Sequence, residues 1–225
     1  MMIKTFEEIY DRAVSRKGEE NLRSMMKVSL KSSDQLMAIS SDRYLSLMTK
    51  AIFKAGFVWK IIEHKWPGFE EAFWKFNVKR CAWMSPDDLD ALYVDDRVIK
   101  NVKKINTVPV NAAMILEIDD EKGSFVEMLA EWPSDDFVGL LELLNKRGSR
   151  LGKLTSQYFL REIGKDGFVL SRDVVAALIN AGVIEKPPTS KVSFHNIQQG
   201  FNNWSEESGL ELSQISRVLG LSIDA

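Results

Sequence analysis

Leu144-Asn145-Lys146-Arg147-Gly148-Ser149-Arg150-Leu151-Gly152-Lys153-Leu154-Thr155 joins two segments in which apolar residues recur at the spacing of an α-helix. The glycines Gly148 and Gly152 allow a tight turn, and a second helix is expected to begin at about Lys153. Such a turn presents unpaired backbone N–H groups at a helix N-terminus, which favours an anion. The stretch therefore predicts a phosphate-binding helical hairpin; the alternative is an ordinary solvated turn between helices.

Basic residues are concentrated around this turn. The whole chain has 30 Lys and Arg against 32 Asp and Glu, a formal net charge of −2. Residues 144–172, by contrast, contain seven basic residues and two acidic ones. Residues 97–104 form a second basic cluster, in which Lys100, Lys103 and Lys104 are expected to share one helix face. Any nucleic-acid site must therefore be a local patch. For the second cluster, the alternative is an ordinary charged outer face of a helix.

The remaining segments also have helical periodicity, and no alternation of period two is long enough to predict a sheet. Helix starts are expected after Thr5, at Ser41, at Ser85-Pro86, at Ser134 and after Ser171. A turn is expected at Trp66-Pro67-Gly68, and Pro109 is expected to break a helix over about residues 97–118. These patterns predict an all-α fold.

Composition excludes several classes of site. Cys81 is the single cysteine and the chain has only two histidines, so neither a disulfide framework nor a thiolate-rich metal centre is expected. No phosphate-binding loop, dinucleotide fingerprint or hydrolase elbow occurs, and we expect no cofactor. No apolar run approaches the length of a membrane span and the first residues lack a secretory pattern, so the expected location is the cytoplasm.

An aromatic residue marks a second candidate site. Ala55-Gly56-Phe57-Val58-Trp59 lies at the junction of two apolar helices. A tryptophan beside a glycine break can lie at the mouth of a cleft, where its indole face stacks on a base. Core packing is the alternative for this tryptophan.

Taken in order along the chain, these features resemble those of the DNA-3-methyladenine glycosylase I family, within the helix-hairpin-helix glycosylases. The similar stretches are Ala55 to Trp59, Phe69-Glu70-Glu71-Ala72-Phe73-Trp74-Lys75-Phe76, Ser85-Pro86-Asp87-Asp88, Ile99-Lys100-Asn101-Val102-Lys103-Lys104-Ile105 with Asn111-Ala112, and the hairpin itself. The resemblance implies an all-α, two-lobe helical fold with a helix-hairpin-helix motif. It divides the chain into an N-terminal helical extension (1–40), a glycosylase-like core (41–185) and C-terminal helices that pack on the core (186–225).

The resemblance also implies site residues. Trp59 stands where the family has a tryptophan that stacks on the extruded base, and Phe53 and Phe57 are expected beside it as apolar neighbours or a wedge. The residues expected to contact DNA are Gly148, Arg150, Gly152, Lys153, Thr155 and Lys103. Asp173 is the candidate catalytic carboxylate near the sugar; alternatively, it is a first-turn acid that stabilises a helix N-terminus.

Three positions depart from the family pattern. Ala51 stands where the family has a base-reading glutamate, eight residues before the tryptophan. Ser171 stands at the catalytic aspartate of the wider superfamily, and the family's structural zinc ligands are absent, with Asp173 at the position of one of them.

The expected function is therefore a DNA glycosylase of base excision repair that removes alkylated purines such as 3-methyladenine. The expected partner is double-stranded DNA containing alkylated bases, bound by a monomer without a membrane or cofactor. Two alternatives stay open: a catalytically weak or inactive DNA-damage binder on the same fold, and a helical protein–protein interaction module.

Overall fold

The computed structural model describes residues 3–223, apart from the side chain of Lys153, and contains no strand in that range. The helices are α1 (Phe6–Lys17), α2 (Glu19–Met25), α3 (Ser33–Met37), α4 (Ser41–Lys54), α5 (Trp59–Ala72), α6 (Val78–Ala82), α7 (Pro86–Val94), α8 (Val102–Ile105), α9 (Thr107–Lys122), α10 (Phe125–Glu131), α11 (Phe137–Arg147), α12 (Lys153–Ile163), α13 (Arg172–Asn180), α14 (Lys191–Ser208) and α15 (Leu212–Leu221). The all-α prediction is confirmed.

The structure confirms the expected helix starts after Thr5, at Ser41, at Ser85-Pro86 and after Ser171, whereas Ser134 opens only a short 3-10 turn (Ser134–Asp136) and α11 begins at Phe137. Three of these starts depend on side-chain capping. Thr5 and Ser85 both form capping boxes, in which the side chain accepts from the third backbone N–H of the helix. Ser171 accepts from the Val174 N–H and caps α13. Asp173 therefore lies in the first turn of α13, where a carboxylate is favoured by the helix dipole.

The chain forms two compact units. The first contains residues 1–30, 133–139 and 164–225, and the second contains residues 31–132 and 140–163. The boundary passes through α11, so the turn after α11 and all of α12 belong to the second unit. The three consecutive segments expected from the sequence remain a prediction about chain organisation.

The first unit has its own aromatic core. Phe168 stacks on Phe201 with ring centroids 4.3 Å apart, and Phe137 meets Phe168 edge to face at 5.0 Å. Trp204 is buried and its indole N–H donates to the Lys4 carbonyl at 3.0 Å. The N-terminal segment is thereby joined to the C-terminal helices of the same unit.

The second unit contains a larger aromatic cluster. Trp66 stacks on Phe69 at 4.9 Å and on Phe76 at 5.5 Å, and Phe73 stacks on both phenylalanines. The Trp66 indole N–H donates to Glu70 at 3.1 Å, one turn further along α5. This part of the predicted aromatic cluster is core, as its spacing indicated.

The expected turn at Trp66-Pro67-Gly68 is wrong, because α5 continues through Pro67. A proline inside a helix removes one backbone donor and costs about 3 kcal/mol. The ring stacking of Trp66 and its bond to Glu70 hold the helix on both sides of the proline. Gly68 permits a close approach here, since a Cβ at this position would lie 2.7 Å from the Arg97 carbonyl oxygen.

The helix expected over residues 97–118 begins only at Val102, and it is not broken at Pro109. The break falls at Asn106, between α8 and α9, and Pro109 occupies the first turn of α9. Proline is tolerated in a first turn because the N–H groups there have no helical partner. No helix within residues 3–223 is long and apolar enough to cross a membrane.

Candidate functional site

The predicted hairpin is formed by α11, a five-residue turn (148–152) and α12. Gly148 closes the end of α11 by donating its N–H to the Leu144 carbonyl at 2.9 Å. A Cβ at Gly148 would lie 2.8 Å from that carbonyl oxygen and 2.5 Å from a methyl group of Leu151. The turn therefore requires glycine at this position because two neighbours occupy the space of a side chain.

Asn111 of α9 fixes the middle of the turn. Its buried side-chain amide accepts from the Ser149 N–H at 2.7 Å and donates to the Ser149 carbonyl at 3.2 Å. At the end of the turn, the Ser156 hydroxyl donates to the Leu151 carbonyl at 2.9 Å. The backbone polar groups of the turn are thus positioned by side chains of the unit to which the turn belongs.

The charges around the turn divide into free and paired groups. Arg147 is paired with α9, since its guanidinium lies 2.8 Å from Glu121 and 3.2 Å from Glu117. These hydrogen bonds, those to Glu121 first, raise the pKa of Arg147. Arg150 is exposed at the tip of the turn with a left-handed φ of 56°. Arg150 is therefore the guanidinium that the turn presents to solvent.

The second basic cluster does not form the expected three-lysine stripe. Lys103 is exposed and Lys100 pairs with Asp96 at 2.6 Å, but the side chain of Lys104 is directed inward. The Lys104 ammonium donates to the carbonyls of Ala55 at 2.6 Å and Phe53 at 3.1 Å. The stripe prediction is wrong because the last carbonyls of α4, which have no helical partner, bind this ammonium.

Burial, with a smaller contribution from the charge of Arg150, lowers the pKa of Lys104. The Lys104 ammonium also lies 4.5 Å from the ring centroid of Phe57. Lys104 thus connects α8 to the loop that leads to Trp59.

A concave pocket of about 660 Å³ lies beside this loop. One wall is the last turn of α4 with Gly56 and Trp59, and the other is the exposed face of α12. The lining residues are Ala51, Lys54, Ala55, Gly56, Trp59, Leu154, Thr155, Tyr158, Arg161 and Glu162. This volume falls within the usual range for small-molecule pockets.

Trp59 is the first residue of α5, and 48% of its surface is exposed. Its indole meets the ring of Tyr158 edge to face, with centroids 5.3 Å apart and planes at 87°. The Lys54 ammonium lies 5.2 Å from the indole ring. Gly56, with a φ of 77°, turns the chain so that α4 ends and α5 begins at the edge of the pocket. Trp59 is therefore an accessible pocket residue, not a core one.

Four charged residues form an ion cluster between α4, α5 and α12. Lys54 contacts Glu63 at 2.7 Å and Glu162 at 3.0 Å, and Lys50 contacts Glu63 at 2.6 Å. Burial opposes the charged form of Lys54, but the two carboxylates outweigh it and raise its pKa. Burial similarly opposes ionisation of Glu63, yet the lysines lower its pKa. The cluster fixes Lys54 and Glu162 at the pocket wall.

The other residues expected at the site are placed as follows. Phe53 is fully buried, with its ring edge to face against Phe69 at 4.8 Å, so this ring has no surface with which to contact a base. Phe57 is 37% exposed and lies on the loop before Trp59. Thr155 lines the pocket, and Gly152 has open space around its α-carbon, with Asn145 Oδ1 at 3.9 Å from a Cβ built there. The side chain of Lys153 lies outside the described residues.

Asp173 belongs to the first unit, whereas the hairpin and the pocket belong to the second. Its catalytic assignment therefore stays a proposal. The sequence reasoning did not identify Lys54, Tyr158 and Glu162 as pocket residues. The spacing of Thr155, Tyr158 and Glu162 on one face of α12 is the signal that could have found them.

No group of three His, Cys, Asp or Glu side chains within the described chain is arranged to hold a metal ion. Cys81 is buried, which raises the pKa of its thiol to about 12. A thiol with this pKa is not a nucleophile near neutral pH.

Solved structures with the same architecture are DNA glycosylases. A 3-methyladenine DNA glycosylase I from Staphylococcus aureus has 23% identity and a TM-score of 0.51, with 69% of this chain and 90% of that chain covered. An 8-oxoguanine DNA glycosylase from Methanocaldococcus jannaschii has 14% identity and a TM-score of 0.55, with 94% and 89% covered. At these identities the likeness establishes the fold, which is that of the helix-hairpin-helix DNA glycosylases.

Sequence comparison then identifies the family within this fold. The family described as methyladenine glycosylase matches residues 37–170, a range that includes the Trp59 pocket and the whole hairpin. The chain belongs to the methyladenine glycosylase family. Comparison with curated protein sequences gives no significant match.

Proposed function

We propose that the protein is a monomeric DNA glycosylase that removes alkylated purines such as 3-methyladenine from double-stranded DNA, in base excision repair. The observation that carries this proposal is the double role of α12. Its first residues follow the hairpin turn, and its next turns line the pocket opposite Trp59. A DNA backbone bound at the turn would thus contact the start of the same helix that forms one wall of the base pocket.

The hairpin supplies the DNA-binding part of the proposal. The N–H groups at the start of α12 are available to a phosphate oxygen, and the open space at Gly152 permits a close approach. Arg150 and Lys103 add exposed positive charge in the same unit. In this arrangement phosphate contacts position the protein and carry no sequence information.

The pocket supplies the base-binding part. A target base must leave the duplex to react, and an alkylated base is extruded at a lower cost because it pairs and stacks poorly. The exposed indole of Trp59 offers a stacking face, with Phe57 as an apolar neighbour on the preceding loop. A purine alkylated at N3 is cationic and leaves as a neutral base, so stabilising the sugar cation is the main remaining requirement. We assign that role to the carboxylate of Asp173.

The test is release of 3-methyladenine from methylated duplex DNA by the purified protein, followed by chromatography of the free base. Release above the spontaneous rate, reduced in Asp173→Asn without a loss of DNA affinity, supports the proposal. An absence of release with retained affinity for methylated DNA indicates the DNA-damage binder. That second candidate is favoured by Ser171, whose hydroxyl caps α13 where the wider superfamily has a catalytic aspartate.

The salt dependence of duplex affinity tests the hairpin separately. Arg150→Gln is expected to reduce the slope of log K against log salt by about 1, because one phosphate contact is lost. Arg147→Gln is the matched control, since Arg147 is already paired with Glu117 and Glu121. A wild-type affinity that does not change with salt would favour the protein–protein interaction module instead.

A further inference from the structure

A second concave surface, which we call the terminal groove, lies in the first unit. It is formed by the start of α1, the end of α2 and the junction between α14 and α15, and its volume is about 820 Å³. Its lining residues fall within 5–10, 23–27 and 207–214. The family match covers residues 37–170, so the whole groove lies outside the segment that this chain shares with the family.

The walls of the terminal groove are fixed by contacts within the unit. The Tyr10 hydroxyl donates to Glu19 at 3.1 Å, and the Arg23 guanidinium binds the same carboxylate at 2.7 Å, which joins α1 to α2. At the start of α15, the Gln214 side chain accepts from the Glu211 N–H at 3.1 Å. Because these polar groups are already bonded, a ligand meets walls that are in place, and less entropy is lost on binding.

Three apolar residues contribute to the lining of the terminal groove. Phe6 and Met26 are 6% and 7% exposed, so the packing of the unit itself holds both side chains in place. Leu210 is half-buried and lies on the connection between α14 and α15. The small apolar surface that these residues present matches one apolar side chain of a partner, and it is too small for a membrane-binding face.

Three charged side chains of the lining keep groups that no described residue occupies. Glu207 Oε2 accepts from the Phe6 N–H at 2.7 Å, and Oε1 has no donor within residues 3–223. Glu7 follows Phe6 in α1, and Lys27 comes just after α2; neither side chain has an ion pair or hydrogen bond in that range. The two carboxylates at the start of α1 therefore attract a cation, and the ammonium of Lys27 attracts an anion.

This arrangement of charge selects among possible ligands. A nucleic-acid strand is disfavoured, because the carboxylates of Glu7 and Glu207 would repel its phosphates. A peptide can place a basic, an apolar and an acidic side chain along one short segment, and thus complement every group that the groove leaves available.

We propose that the terminal groove binds a peptide segment of another protein in which an apolar residue lies between a basic residue and an acidic residue. The basic residue binds Glu7 and Glu207, the acidic residue binds Lys27, and the apolar residue contacts Phe6 and Met26. This inference goes beyond the proposed function and does not depend on base release.

The probe is a fluorescein-labelled synthetic peptide of about nine residues, which spans roughly 30 Å when extended. It has two lysines at one end, a leucine at the centre and two glutamates at the other end, separated by glycine and serine. Binding to the full chain is measured by fluorescence anisotropy, with an expected Kd on the order of 10 μM, typical of a small transient interface. A peptide with glycine in place of the leucine, and one with lysines at both ends, are each expected to bind at least about threefold more weakly.

Lys27→Glu reverses the charge at one end of the terminal groove. This variant is expected to invert the order of two peptides, so that the peptide with lysines at both ends binds more tightly than the original probe. Lys27 has no side-chain bond to lose within the described chain, so the fold should be retained, as circular dichroism will check. Lys186→Glu is the matched control, because Lys186 is exposed in the same unit, changes the net charge equally and does not line the groove.

An inverted order in Lys27→Glu, together with the wild-type order in Lys186→Glu, supports the inference. Three results overturn it: no saturable binding of the probe by the wild type, equal binding of the leucine and glycine peptides, or an unchanged order in Lys27→Glu. Weaker binding of labelled duplex by Lys27→Glu than by Lys186→Glu would also overturn it, because the groove would then contact nucleic acid.

Release of 3-methyladenine from methylated DNA is measured with the same variants. It is expected to be equal in the wild type and in Lys27→Glu, since the groove is separate from the residues proposed to bind the base. Peptide binding with no base release would contradict the proposed function and leave this inference standing. Base release with no peptide binding would do the reverse.

Discussion

The ammonium nitrogen of Lys104 lies 2.6 Å from the carbonyl oxygen of Ala55 and joins the short helix α8 to the end of α4. A second bond, to the carbonyl of Phe53, is 3.1 Å long. Both carbonyls belong to the last turn of α4 or its cap, where the helix provides no donor. The loop of Gly56 and Phe57 that leads to Trp59 therefore starts from a fixed end.

Lys104→Met is expected to lower the free energy of unfolding by about 2 kcal/mol, because the buried carbonyl of Phe53 and the partly buried carbonyl of Ala55 lose a charged donor. Lys103→Met is the neighbouring control, since Lys103 is exposed and the change should lie within about 0.5 kcal/mol. Urea unfolding followed by circular dichroism measures both. Equal stability of the two variants would show that the capping bonds contribute nothing.

Trp59→Ala is expected to reduce release of 3-methyladenine roughly 10- to 100-fold, since stacking on an aromatic side chain contributes about 1–3 kcal/mol per base. Trp83→Ala is the control, because Trp83 is 82% exposed and does not line the pocket. The measurement is single-turnover release from methylated DNA. An unchanged rate in Trp59→Ala would remove the stacking role.

The two hairpin glycines are expected to respond differently to alanine. Gly148→Ala should lower the free energy of unfolding by about 1–3 kcal/mol, because its Cβ would overlap the Leu144 carbonyl and Leu151. Gly152→Ala should leave stability nearly unchanged, because a Cβ there meets only Asn145 Oδ1 at 3.9 Å. It should nevertheless weaken duplex binding, since the methyl group occupies the space of an approaching phosphate.

Thermal unfolding and fluorescence anisotropy with labelled duplex separate these two effects. If Gly152→Ala binds duplex as tightly as the wild type, the phosphate does not approach the turn at this glycine.

Glu70 provides a test of pH dependence. Burial by itself would raise the pKa of its carboxyl, but hydrogen bonds from Arg43, Ser46 and Trp66 outweigh it and lower the pKa below the ordinary value of 4.5. A carboxyl whose pKa is lower in the folded state contributes stability above its ordinary pKa and loses it as the pH falls through the folded value. Glu70 therefore stabilises the fold at neutral pH and less so in acid.

Glu70→Gln is expected to cost about 2 kcal/mol of unfolding free energy at pH 7 and clearly less near pH 3. Glu71→Gln is the adjacent control, because the side chain of Glu71 is 71% exposed and its contact with Arg97 is 3.8 Å long. Urea unfolding across this pH range measures both variants. A cost for Glu70→Gln that does not change with pH would contradict the assignment.

Much of the secondary structure could be predicted because its signals are local. Thr5, Ser85 and Ser171 start helices through bonds to N–H groups three residues away, and any chain with these residues has the same partners available. Pro67 shows the limit of this reasoning. Its local signal is a break, but the stacking of Trp66 on Phe69 and Phe76 keeps the helix continuous.

The surroundings of the charged side chains could be predicted less well than the helices. Lys103 and Lys104 are equivalent as sequence, yet one is exposed and the other binds the end of α4. Arg147 and Arg150 differ in the same way, since α9 presents two carboxylates to Arg147. The sequence shows which residues carry charge, and only the packed helices show which charges are already neutralised.

The sequence by itself determined the helical class and the glycine turn of the hairpin, because backbone propensity and capping act within a few residues. It left core packing open for Trp59, and only the tertiary structure decided that this side chain is exposed. The tertiary structure alone decided that Tyr158 and Glu162 face Trp59 across one pocket and that Lys104 is turned inward. Those contacts join residues far apart in the chain, and they form only when α12 packs against α4 and buries enough apolar surface to offset the lost conformational entropy.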